Sequence, residues 1–188
     1  MIKKVEAFFM KEVSEKAGRL AVFSLGLLVP FYQVRLIFIF LLLVGMLPSD
    51  IQHRRLGSLL ALPFSRTEVF WASYLFLISV VVITQVIGGA IFALSSSFLG
   101  VNLLGSINFA TAYFAIAMLS VMAGLDHIGI PFLVLIVDLI MGGIGNRVTN
   151  LYFRFSPAHQ GNVYYVLPIA FGLLAVAAIL FSKRGVQK

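Results

Sequence analysis

Four apolar runs divide this chain into segments of the length a bilayer requires. A helix needs roughly 20 residues to cross a hydrocarbon core of ~30 Å. Trp71–Leu94 and Leu103–Leu125 reach that length without a charged side chain. Ile128–Gly145 carries one acid, Asp138, and Val163–Phe181 ends at Ser182-Lys183-Arg184. Each run predicts a membrane-spanning helix.

The stretch Leu20–Leu47 is different. Its 28 residues would make one helix of ~42 Å, too long for an upright span and short for two. Pro30 precedes a polar middle of Tyr32, Gln33 and Arg35, and a proline there predicts a break. Charge placement decides between the readings. With a tight turn at the break and six spans, the basic residues Lys3, Lys4, Lys11, Lys16, Arg19, Arg54, Arg55, Arg66, Lys183, Arg184 and Lys188 share one side. Only Arg35, Arg147 and Arg154 face the other. A single span would move the N-terminal five across and leave Arg35 in lipid. Basic residues concentrate on the cytoplasmic side, so six spans with both termini cytoplasmic are expected, the short first pair being extended or met by a thinned bilayer.

Between the runs, polar positions define the connections. In residues 1–19, Ile2, Val5, Phe8, Phe9 and Val13 recur at helical spacing, while Lys3, Lys4, Lys11, Glu12, Glu15 and Lys16 fill the opposite side. This predicts an amphipathic helix lying in the interface; a simple topogenic anchor would read the same way. The loops Ser95–Asn102 and Asn146–Asn162 fall outside. The second holds Tyr152, Phe153, Phe155 and Pro157 and is long enough for part of it to dip back among the helices.

Composition agrees with the pattern. The chain is 61% hydrophobic and 11% charged, with a mean hydropathy of +1.04, which makes the bilayer its solvent and leaves one membrane domain, 1–188. There is no cysteine, so disulfides and thiol chemistry are excluded. The charged N-terminus does not read as a cleavable signal. A net charge of +7 is placed beside spans, where it sets orientation, and nucleic acid is not an expected partner.

The polar interruption Ser49–Val69 is longer than a turn needs, and suits an amphipathic helix on the membrane face. Within it, Gly57, Ser58, Leu59, Leu60, Leu62, Pro63, Phe64, Ser65 and Arg66 form a pattern of glycine, a small residue, leucines, Leu-Pro, an apolar residue and Ser-Arg before an apolar helix. This resembles the loop after the second span in ABC-transporter permeases of the type-2 exporter class. The amphipathic N-terminus, the six spans and Ser156-Pro157-Ala158-His159 in the last outside loop are similar too. The sequence-specific likeness covers about 20 residues, Arg54–Tyr74; the organisational one covers the chain. Two features depart from the pattern. His53, Arg54 and Arg55 stand where an acid is usual before the glycine, and the first outside loop is almost absent.

The resemblance implies an all-α polytopic protein in a prokaryotic cell membrane, paired with a second copy or a related permease. The Ser49–Val69 segment would be a cytoplasmic coupling helix seated in a separate ATPase, which binds the ATP and Mg. In that role Leu56, Leu59 and Leu60 supply apolar contact, Arg54, Arg55 and Arg66 supply charge, and Gly57, Pro63 and Ser65 shape the helix and its end. From the residues alone, an orientation-setting loop without a partner remains open. No G-x-x-x-x-G-K-[ST] motif is present, so the chain is not expected to bind ATP by that route or to be an enzyme.

Other candidates are few. Asp138 within the fifth expected span reads as a substrate-path or gate residue, or as an acid held by Asn108, Thr111 or Tyr113. Gly88, Gly89 and Ala93, and Gly142, Gly143 and Gly145, allow close helix approach. Gln85 reads as a packing hydrogen bond and Asp126-His127 as a polar turn. His53, His127 and His159, all in loops, make no metal site. A stand-alone membrane protein, either an ion pathway or an intramembrane enzyme, and a transporter-like immunity factor are the alternative functions.

Overall fold

The computed structural model describes residues 2–53, 65–93, 95–144 and 150–184. Every regular element among them is helical: α1 (Ile2–Leu27), α2 (Tyr32–Val44), α3 (Leu47–Gln52), α4 (Arg66–Ile91), α5 (Ser96–Met122), α6 (Gly129–Gly143), α7 (Leu151–Phe155) and α8 (Val163–Arg184). Four stretches are long and apolar enough to cross a membrane: Tyr32–Gln52, where α2 runs on into α3, then Arg66–Ile91, Phe98–Met122 and Tyr164–Lys183. By length and composition the chain is a multi-pass membrane protein. Helix α6 is apolar but has only 15 residues, a rise of ~22 Å.

Helix α5 is the axis of the bundle, packing against α2, α3, α4, α6 and α8. Small residues make this possible. Ala110, Ala112, Ala115 and Ala117 are buried, and Phe109, Tyr113 and Phe114 fill the spaces between neighbours. Some polar side chains on α5 are paired across helices. The Tyr74 and Thr111 hydroxyls lie 2.8 Å apart, and Gln85 donates to Ser106.

Two ends can be named from the chain's course. At the lower end α3 finishes, α4 begins and α5 hands over to α6; at the upper end α1 turns into α2 and α6 gives way to α7. The upper turn corrects one expectation. The break lies at residues 28–31 and includes Pro30, so Tyr32, Gln33 and Arg35 belong to the first turns of α2 and not to the loop. Arg35 is 4% exposed. Its Nε and Nη2 donate to the Val29 carbonyl at 3.3 and 2.9 Å, closing the turn. The two legs of the hairpin are also unequal. A non-helical residue, Lys16 (φ −117°, ψ 15°), kinks α1, leaving Ala17–Leu27 against the 21 residues of the second leg.

On both sides of the kink α1 packs against α4. At the upper end Leu28 touches α4 at Gly88, where a Cβ would sit 2.8 Å from the Leu28 carbonyl oxygen. Lower down, Phe9 meets Phe76 edge-on at 4.9 Å. From Gly88 to Phe76 and from Leu28 to Lys16 the chain descends by the same number of residues, ~18 Å in each case. The Phe9 ring therefore meets α4 at about the level of Lys16.

Candidate functional site

Two polar regions are built into this apolar framework. The first is at the lower end, around α3. Lys16, at the kink, donates to Asp50 Oδ2 at 2.9 Å. It also lies 2.8 Å from Glu12 Oε2, an ion pair out of hydrogen-bond alignment. All three side chains are nearly excluded from solvent. This corrects the two-faced reading of residues 1–19: Glu12 and Lys16 do not face water but bury against α3. Desolvation is the larger influence on Glu12 and pushes its pKa above the usual carboxylate value, against the pull of Lys16.

The next residues of α3 tie the bundle's other side. Gln52 Nε2 donates to Asp126 Oδ1 at 3.0 Å. Gln52 Oε1 accepts from the His127 backbone N–H at 2.7 Å and from His127 Nδ1 at 2.6 Å. His53 stacks edge-on against His127, their centroids 5.6 Å apart. Asp126 also accepts the Gly129 N–H at 2.6 Å, capping the first turn of α6, and this bond holds its pKa below the usual value. Asp126-His127 is thus a polar turn that also receives α3. Six residues, Leu47–Gln52, join α1 on one side to the α5–α6 connection on the other.

The second region lies toward the upper end, on α6. Asp138 is 2% exposed. Its Oδ2 accepts the Tyr113 hydroxyl at 2.8 Å and the Ala158 N–H at 3.3 Å, while Oδ1 makes no hydrogen bond. Tyr113 is therefore the neighbour that holds it; Thr111 is engaged by Tyr74, and Asn108 leaves its own oxygen unmet. Ala158 arrives from the loop after α7. Asn150 caps that helix, accepting the Phe153 N–H at 3.2 Å, and ties it to α6 by donating to the Met141 and Ile144 carbonyls at 2.8 Å. The Ser156–His159 turn then passes inward, with Ser156 and Ala158 buried. The Pro157 carbonyl accepts the Tyr32 hydroxyl at 2.8 Å, and the His159 ring rests where a side chain on Gly142 would stand. Tyr152 has its phenol pKa raised, first by desolvation and then by the charge of Asp138 and a hydrogen bond to that acid. Beside the acid is a cavity of about 140 Å³, whose lining includes Tyr113, Asp138, Tyr152, Val134, Ile169 and Leu173.

Of the residues expected to couple to an ATPase, Arg54, Arg55, Leu56, Gly57, Leu59, Leu60 and Pro63 lie outside the described residues. The ends of Ser49–Val69 are described, and they belong to helices: 49–52 finish α3 and 66–69 begin α4. Ser65 is the N-cap of α4. It accepts the Glu68 N–H at 3.2 Å and gives its own N–H to Glu68 Oε2 at 2.7 Å, a capping box. Arg66 follows as the first, exposed residue of the helix.

Sequence reasoning missed Glu12, Lys16, Asp50 and Gln52. Glu12 and Lys16 stand four apart, the spacing of a helix ion pair, and Asp50 comes three residues after the apolar run that ends at Leu47. That was the available signal, although their meeting depends on tertiary contact. Compared with known proteins, the chain matches no family model, no curated sequence and no solved structure.

Proposed function

We propose that this chain is the membrane-spanning subunit of an ATP-driven ABC exporter of the type-2 class. In this reading it crosses a prokaryotic cell membrane six times with both termini in the cytoplasm. The four long helices are joined by two short crossings, Ala17–Leu27 and α6. The lower end then faces the cytoplasm, where the sequence between α3 and α4 is the contact for a separate ATPase, which binds ATP and Mg. A second copy or a related permease completes the transport unit.

One observation carries the reading: the Gly57–Arg66 motif joins the two lower-end helices best placed to receive a push. On one side α3 is tied through Asp50 to α1 and through Gln52 to the α5–α6 turn. On the other side, Ser65 caps a helix that runs unbroken to the upper end. Force delivered between them reaches most of the bundle without any further moving part. Asp138 lies on the substrate path in this scheme.

The direct test is co-purification with ABC ATPases encoded beside this chain, using Arg54→Ala, Leu59→Asp and Arg66→Ala. Each substitution is expected to weaken the complex, Leu59→Asp most, because it places a charge in an apolar contact. A complex that survives all three overturns the assignment.

A further inference from the structure

We propose that the cavity beside Asp138 binds the primary ammonium group of an amphiphilic amine, entering from the bilayer between α6 and α8. This rests on reading Asp138 as a substrate-path residue and adds the chemical class of what passes. The first argument is the unequal treatment of one carboxyl group. Oδ2 receives two donors, Tyr113 and the Ala158 N–H. Oδ1 makes no hydrogen bond, although the Tyr152 phenol interacts with the same carboxyl group, and the side chain is almost wholly buried and lines the cavity. Buried polar atoms are nearly always paired, and no described cation makes an ion pair with this acid. The missing group is a donor, and a positively charged one suits the acid best.

The walls define the rest of the ligand. Apart from Asp138 and the Tyr113 and Tyr152 phenols, the lining side chains are apolar. A volume of about 140 Å³ is close to the ~150 Å³ of a cavity that admits benzene. It accepts an ammonium and the first carbons of a chain, but not a whole amphiphile, so the tail must leave. The proposed exit lies between α6 and α8. Helices α6 and α8 both pack on α5, yet neither is a principal partner of the other. Val134 on α6 and Ile169 on α8 line the cavity and are 37% and 48% exposed. An opening between these helices would face lipid.

A requirement for N–H donors separates this site from a merely apolar one. A primary alkylammonium can hydrogen-bond Oδ1; a quaternary ammonium of equal charge and chain length cannot. The probes are therefore dodecylamine and dodecyltrimethylammonium, titrated onto the purified full chain in phosphatidylcholine nanodiscs, without ATPase. Dodecylamine is expected to bind, and the quaternary analogue to bind about ten- to a hundredfold more weakly. Asp138→Asn, which keeps the shape, and Val134→Trp, which blocks the mouth and leaves the acid, should each reduce dodecylamine binding by a similar factor.

Including phosphatidylethanolamine in the nanodiscs separates the two sources of such a headgroup. Competition identifies a lipid as an occupant, and its absence identifies a free amine. Equal binding of the two probes, or binding unchanged in both Asp138→Asn and Val134→Trp, overturns the site. Either result leaves the ATPase co-purification test standing, so the two readings fail separately.

Discussion

The two polar regions bury the same kind of group in opposite ways. At the lower end two acids, Glu12 and Asp50, share one lysine. Toward the upper end a single acid, Asp138, is held by neutral donors on one oxygen and makes no hydrogen bond through the other. The first arrangement uses its charges to join α1 to α3, and its chemistry is internal. The second keeps one valence unspent at the edge of a cavity. In a medium without water, a matched charge holds helices in register, whereas an unmatched one marks a place where something else arrives. The comparison separates structure from site without appeal to any other protein.

The sharpest way to break it is Lys16→Met. Removing the shared cation strands two carboxylates in a buried contact, and losing one partner of a buried pair costs about 3–5 kcal/mol. Thermal unfolding in detergent should show a large fall. An unchanged midpoint would mean that the lower-end acids are no more committed to stability than Asp138 is. Tyr113→Phe probes the other region and should cost less, about 1–3 kcal/mol for a buried acceptor losing its donor. It should leave the first hairpin untouched, as read by protease sensitivity at Leu28–Phe31. A loss as large as that of Lys16→Met would make the upper acid structural too.

The smallest effect concerns pH. Glu12 has a folded pKa above its unfolded value, so the folded state binds the extra proton. Stability is greatest below the unfolded value and falls as pH rises from there through the folded one. Lys16, Asp50 and Lys11 are the charges acting on it. Glu12→Gln should flatten that part of the stability-against-pH curve while keeping the Lys16–Asp50 pair. A curve with unchanged slope would show that Glu12 does not titrate in this range.

The legibility of these features follows how local their causes are. The apolar runs announce the long helices because lipid tolerates little else, whereas the capping box of Ser65 and Glu68 emerges from the structure. Residues 17–52 were harder. Pro30 locates the break, but Arg35 looked like a loop residue because the sequence does not show that its guanidinium folds back on Val29. Glu12 and Lys16 were read as solvated because periodicity assigns faces and says nothing of what covers them. Asp138 was singled out by rarity alone. Its partner at Ala158 comes from a loop twenty residues away in sequence, a contact that no spacing rule anticipates.

Gly88 sets how the first hairpin can move. With the Leu28 main chain seated where any larger residue would collide, that seam behaves as a fulcrum with no room to slip. A load applied beneath it is expected to rock the hairpin about this contact, so that small displacements below become changes of tilt above.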